Sequence, residues 1–383
     1  MEFLPTTLGT RPRLAVEVRA EGVVAARAED AAAALTAVAK ANLVEGAMAP
    51  GLKAGNIVDK AAVVAAVRKA LDGVAGTGRE RAGGRAPGRS RDVTLVVPDS
   101  AVRVLFLDFD QLPSKTAEAL PLVRFRLKKL LPFDADDAMV SYQVMSNVKG
   151  SGIKMVAVAM PRDVLTEYEG IVLAAGYLPG AVLPSTLAAL AGLEESDSAA
   201  LVVNAGPGSV TTAIVQAGIL MLHRSVDMRS DMGGDMGSTL VTNANVPAGA
   251  VPVMSMVDRE GSAQHEALGP AGWERFDAAT GMQSALVETA EVRERAAAGA
   301  AHEVTQAVSV AAAYFEDTLQ MAPETVLSAG TLGAEMLAAM MEEGGLAGLR
   351  VREMVDSGML EAGAATGTVP RCWLAGVRGA LRN

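Results

Sequence analysis

Residues 14–18 and 23–27 are two apolar, β-branched runs around Glu21-Gly22, a pair suited to a tight hairpin, so the chain opens with a small sheet. Asp59 is placed to cap a helix in which Val63, Val67, Ala70 and Leu71 share one face, and Gly73 is placed to end it. Residues 76–92 break the pattern: five arginines (Arg79, Arg81, Arg85, Arg89, Arg91) stand among glycines and a proline without an apolar period. Such a stretch reads as a solvated connection, or as a contact for an acidic partner or lipid headgroups.

Residues 93–97 and 102–107 read as strands with Asp99-Ser100 as the turn between them. Within 115–131 a helix is expected to start near Pro121, with Val123, Leu127, Leu130 and Leu131 on one face and Arg124, Lys128 and Lys129 elsewhere; Pro132-Phe133 stops it. Strands at 139–145 and 153–160 and a helix at 162–175 complete a compact β-rich unit over about 98–177, inserted between elements of a larger lobe. Beyond a polar link at 194–198, strands at 200–203, 210–216 and 218–223 form a meander, with turns at Gly206-Pro207-Gly208 and Ala217-Gly218. Residues 244–280 are irregular in pattern and 288–319 are helical. A strand at 325–329, a turn at 330–333, a helix at 334–343 and a last strand at 369–374 close the chain. Strand triplets followed by helices thus occur twice.

Composition narrows the function. At 383 residues the chain exceeds one ordinary core, and its 50% hydrophobic content is ample for several packed lobes. With 34 Lys and Arg against 44 Asp and Glu, the net charge of -10 disfavours a nucleic-acid partner. One cysteine, Cys372, and three scattered histidines, His223, His265 and His302, give no disulfide and no metal site, which fits a reducing cytoplasm. The start of the chain has no apolar run of secretory-leader length. The uncharged stretches 170–193 and 199–222 are interrupted by Pro179 and Pro184, and by Asn204 and the 206–208 turn, so buried elements are expected rather than a transmembrane segment. Asp227, Asp231 and Asp235 read as solvated acids, and no Ser-His-Asp or Cys-His grouping supports covalent catalysis.

The doubled order of elements, with a small unit inserted in the first half, resembles the actin and Hsp70-like superfamily and its branch containing FtsA and PilM. Three segments carry the likeness to the type IV pilus assembly protein PilM family. They are Leu130-Leu131-Pro132-Phe133 through Tyr142, the strand 93–99 entering the insert, and the closing run Ala375-Gly376-Val377-Arg378-Gly379-Ala380-Leu381-Arg382. The resemblance implies an α/β, actin/Hsp70-like (ribonuclease H-like) two-lobed fold with an inserted small α+β subdomain. It divides the chain into subdomain 1A at 1–97 and 178–197, inserted subdomain 1C at 98–177, subdomain 2A at 198–230 and 322–383, and subdomain 2B at 231–321.

In that superfamily two glycine-containing hairpins and a glycine-rich turn surround a nucleotide, with an acid in each hairpin organising magnesium and water. The positions that resemble them are Glu17-Val18-Arg19-Ala20, Asn204-Ala205-Gly206, Gly233-Gly234-Asp235 and Ser328-Ala329-Gly330. Arg19 stands where a glycine lets backbone approach phosphate, and Asn204 is a neutral near-isostere of the usual aspartate. The cofactor residues implied by resemblance are Glu17, Arg19, Asn204, Gly206, Gly233, Gly234, Ser328 and Gly330, binding ATP with magnesium weakly or not at all; plain turn chemistry also accounts for the glycines.

The implied role is a cytoplasmic scaffold, peripheral to the inner face of the cytoplasmic membrane. It would dock the N-terminal peptide of a PilN-like single-pass membrane protein beside other pilus assembly platform proteins. A groove between the first lobe and the insert would take the peptide, with Arg124, Lys128 and Lys129 as candidate contacts; a solvated helix face explains these three equally well. Alternatives are an active ATP-binding and hydrolysing actin-like protein, a type II secretion GspL-like component, and a filament former.

Overall fold

The computed structural model describes residues 12–30, 34–75, 91–148, 152–194, 196–228, 278–346, 348–364 and 369–382. Packing divides the chain into residues 1–244 with 301–383, and residues 245–300. The sheets and the site lie in the first unit; of the second, residues 278–300 are described, all helical.

In chain order the elements are β1 (Leu14–Arg19), β2 (Gly22–Ala28), β3 (Leu35–Asn42), α1 (Lys60–Ala75), β4 (Asp92–Val97), β5 (Arg103–Phe109), α2 (Thr116–Leu127), β6 (Ala138–Val148), β7 (Gly152–Pro161), α3 (Arg162–Ala174), β8 (Leu178–Pro184) and α4 (Ser185–Ala191). They continue with β9 (Ala200–Gly206), β10 (Ser209–Gln216), β11 (Ile219–Asp227), α5 (Ala278–Leu319), β12 (Thr325–Gly330), α6 (Ala334–Glu343), β13 (Arg350–Glu353) and α7 (Ala375–Leu381).

Among the described residues the strands form three sheets, ordered β3-β2-β1-β4-β8, β11-β10-β9-β12-β13 and β5-β7-β6. The two larger sheets repeat one plan. An antiparallel meander (β1-β2-β3, β9-β10-β11) is continued by parallel strands, β4 and β8 in one and β12 and β13 in the other. The doubled pattern read from the sequence is therefore a doubled sheet.

Alternation along β1 places the site. Leu14, Val16 and Val18 enter a core with Val67, Leu71, Tyr168 and Ile171 of α1 and α3. Ala15 enters a second core with Trp373, Leu374 and Val377. Side chains two apart share a face, so Glu17 lies on the α7 side. The inserted sheet packs on α2 through Leu105, Val123, Leu127, Val140 and Met155.

Besides the unforeseen strands β3, β8 and β13, and α5 starting at Ala278 rather than 288, local details differ from expectation at Gly73, Pro121 and 369–374. Asp59 does cap α1, accepting from Ala62 N at 2.9 Å, but the helix passes through Gly73 to Ala75. A Cβ at Gly73 would lie 2.9 Å from the Ala39 Cβ, so this glycine allows close packing on β3 instead of terminating the helix. Helix α2 begins at Thr116, and Pro121 lies inside it rather than at its first turn, where its missing donor is tolerated on an exposed face. The apolar run at 369–374 is not a strand: Arg371–Leu374 is a 3-10 turn leading into α7, because a short apolar run fits a buried helix end as well as a strand.

Candidate functional site

The β1–β2 and β9–β10 hairpins face each other across a cleft of about 370 Å³, lined among others by Arg19, Glu21, Asp99, Ser185, Asn204 and Gly206. Four elements supply its polar groups. Glu17 and Arg19 come from the end of β1, Asp99 from a 3-10 turn after β4, Ser185 and Thr186 from the start of α4, and Asn204 from β9.

Arg19 is enclosed by this set. Its guanidinium pairs with the Glu17 carboxylate and donates to Ser185 Oγ at 2.9 Å, with Asn204 Oδ1 at 3.4 and 3.5 Å. Ser185 in turn donates to Glu17 Oε1 at 2.6 Å. The Asn204 amide nitrogen stands 2.9 Å from Ser185 Oγ, 2.9 Å from Thr186 Oγ1 and 3.2 Å from Asp99 Oδ2. Asp99 also accepts from Thr186 N at 3.0 Å and Thr186 Oγ1 at 2.5 Å. The network thereby links the two larger sheets through side chains.

Burial sets the charge states. Glu17 is fully buried, and burial pushes its carboxyl above the usual range despite the opposing Arg19 guanidinium and Ser185 hydroxyl. Its Oε2 has no hydrogen-bond partner among the described residues and lies against the backbone of α7, where a Cβ on Gly376 would strike both carboxylate oxygens. On β11, His223 is buried, with no partner for Nε2 among the described residues; burial pushes its imidazole down, with the Asp99 carboxylate opposing.

Six of the residues singled out from the sequence fall near this cleft or in the strands behind it. Glu17, Arg19 and Asn204 form the network, and Gly206 lines the cleft, where a Cβ would lie 3.0 Å from Thr331 Oγ1. Gly330, at φ +100°, ends β12 against β9, and a Cβ there would overlap the Ala205 carbonyl. Ser328 pairs beside Val203, on the sheet face opposite Asn204, and its buried hydroxyl has no partner among the described residues. Gly233 and Gly234 lie outside the described residues.

On the insert, the Arg124 guanidinium donates to the carbonyls of Ala135 (2.5 Å) and Ala138 (2.9 Å), fastening the turn ahead of β6. Lys128 pairs with Asp136 at 2.5 Å, and Lys129 is exposed. Sequence reasoning missed Asp99, Ser185, Thr186, His223 and Gly376 as members of the site. The signal available for the first three was their position directly after an apolar strand, where Pro98 and Pro184 end β-structure at the cleft.

A magnesium–nucleotide complex needs carboxylate or carbonyl oxygens open to the metal, and backbone amides open to phosphate. Here both oxygens of Asp99 accept from protein donors, Glu17 is engaged by Arg19 and Ser185, and the Arg19 side chain occupies the space beside the first hairpin.

No family model matches the chain, and no curated protein matches it. Among solved structures it is similar to a chain of the PilM-PilN type IV pilus biogenesis complex, with a TM-score of 0.59 and 15% identity over 97% of each chain. Looser overlaps are with the ethanolamine utilization protein EutJ from Carboxydothermus hydrogenoformans (TM-score 0.42, 12% identity, 97% of this chain and 89% of that one) and the cytoplasmic domain of EpsL from Vibrio cholerae (TM-score 0.36, 12% identity, 59% and 79%), both too loose to inform on this chain. The chain therefore has the α/β, actin-like two-lobed fold with an inserted small subdomain, and it resembles PilM over nearly its whole length.

Proposed function

We propose that the chain is a scaffold of a type IV pilus inner-membrane assembly platform, docking the N-terminal tail of a PilN-like single-pass membrane protein and contacting other platform proteins. On this reading it works in the cytoplasm, against the inner face of the membrane. No helix among the described residues is long and apolar enough to cross a membrane. The subdomain division at 1–97 with 178–197, 98–177, 198–230 with 322–383, and 231–321 belongs to the same proposal.

The observation that carries it is the enclosure of Arg19. A cleft that binds its own guanidinium through Glu17, Ser185 and Asn204 joins the two lobes without a nucleotide. A docking platform retains shape while losing phosphate ligands; an ATPase does not. Titration calorimetry with ATP and magnesium, and separately with a synthetic tail of the PilN-like protein, tests this. Tail binding without micromolar nucleotide binding is expected. Micromolar ATP affinity that falls on Asn204→Arg, with turnover lost on Glu17→Ala, overturns the scaffold in favour of an active ATPase.

A further inference from the structure

The hydrogen bonds of the cleft run in a fixed direction. Asp99 accepts at both oxygens: Oδ1 takes the Thr186 N–H at 3.0 Å, and Oδ2 takes the Thr186 hydroxyl at 2.5 Å. The Ser185 hydroxyl gives its proton to Glu17 Oε1 at 2.6 Å. A hydroxyl has a single proton, so Ser185 and Thr186 turn only lone pairs towards β9. Whatever stands at position 204 must therefore donate. Asn204 does: its two amide hydrogens match the two hydroxyl oxygens, each 2.9 Å from Nδ2, with Asp99 Oδ2 a third acceptor at 3.2 Å. The opposite end of the same amide, Oδ1, accepts, and it faces the Arg19 guanidinium at 3.4 and 3.5 Å.

An aspartate at this position would have the right shape and the wrong polarity. It would put an anionic oxygen where Nδ2 stands 3.2 Å from Asp99 Oδ2, with both hydroxyl protons already committed elsewhere. Asn204 and Asp99 are both buried, so water would do little to screen the two carboxylates. A cation held between them would relieve the repulsion. The Arg19 guanidinium is not placed to do so, being engaged by Glu17 and Ser185 on the other side of the amide. With asparagine the amide meets Asp99 directly, and the contact between the sheets calls for no bridging ion.

We propose that Asn204 is the donor of a built-in clasp: it fastens the second large sheet to the first through Ser185, Thr186 and Asp99, and holds the cleft closed whether or not nucleotide is present. This rests on the docking-platform reading and adds how that platform is regulated. Closure is set by the polarity of the side chains, not gated by a ligand. Asn204 is a positioning residue, and Arg19 completes the clasp from the accepting end of the same amide. Any partner surface that draws on both large sheets is then presented all the time.

The test follows hydrogen exchange of the α4 and β9 amides and small-angle scattering of the full chain, with and without millimolar ATP and magnesium; tail binding is followed separately by calorimetry. Asn204→Asp keeps the shape and removes the donor. Adding Asp99→Asn returns an amide from the other side, which can donate to Thr186 Oγ1 and so free the Thr186 proton for position 204. Expected results are a wild type unchanged by ATP and magnesium, about tenfold faster exchange in Asn204→Asp, and recovery of most of that change in the double variant. Should Asn204→Asp fail to fold, Thr186→Val removes the hydroxyl between Asn204 and Asp99 at nearly constant volume, and faster exchange of β9 is expected. Wild-type exchange rates in the single variant, or a double variant as fast as Asn204→Asp alone, overturn the clasp; tail binding by the wild type then leaves the platform reading standing. Compaction or slowed exchange of the wild type on adding ATP and magnesium overturns both.

Discussion

Replacing Arg19 with methionine keeps much of its volume and removes the guanidinium paired with Glu17. The side chains of the pair are 11% and 0% exposed, so the remaining carboxylate has little access to water. Breaking a buried pair from one side costs about 3–5 kcal/mol, because an uncompensated charge stays inside. That cost depends on Glu17 being ionised. Burial already raises its pKa in the folded protein, and losing Arg19, the foremost opposing influence, raises it further. A raised carboxyl means that the folded state holds the proton more tightly than the unfolded chain. Stability is therefore greatest below the unfolded value, about 4.3, and is lost as pH rises through the folded one. At pH 5 the variant should lose mainly the hydrogen bonds to Ser185 and Asn204, about 1–2 kcal/mol. At pH 8 it should lose about 3–5 kcal/mol. Urea unfolding of wild type and Arg19→Met at both pH values, followed by tryptophan fluorescence, measures the difference. Adding Glu17→Gln should restore most of the pH 8 loss, since the stranded charge is gone. Equal destabilisation at both pH values, or no recovery in the double variant, refutes the account of the pair.

Two further outcomes follow from the same region. Gly330→Ala should destabilise by about 3 kcal/mol or more, since it combines a positive φ with overlap of the Ala205 carbonyl; a thermal midpoint within two degrees of wild type would show that β12 and β9 do not meet as closely as described. Burial holds the His223 imidazole below its ordinary value, so between that folded value and about 6.5 the unfolded chain binds the proton and the folded chain does not. Stability should fall as pH drops through 6.5, and His223→Gln should flatten this acid limb in urea titrations from pH 7.5 to 5.5; an unchanged limb counts against a neutral buried His223.

How far the fold and the cleft could be read in advance depends on what each residue type requires. The hairpins at Glu21-Gly22 and at 206–208 were legible because turn chemistry and flanking β-branched runs coincide there. β3 was not legible: LTAVAKAN alternates alanine with a lysine and a threonine, and its burial comes from α1 and from the segment near Leu360, neither local in sequence. β8 and β13 were missed because prolines and arginines obscure their period, and parallel pairing with β4 and β12 holds them. At the cleft, Arg19 and Asn204 were readable as identities, while the partners that enclose Arg19 lie 166 and 185 residues away and emerge only with the fold. The glycines show why a motif alone stops short of function. Approach of backbone to a phosphate and approach of backbone to backbone both demand the absence of a Cβ. Gly330 is occupied by the second demand, lying against Ala205, and Gly376 serves a related one by making room for the Glu17 carboxylate. Lacking a Cβ at these positions therefore says that something approaches closely. Which thing approaches is decided by the side chains around it, and here those side chains are already bonded to one another.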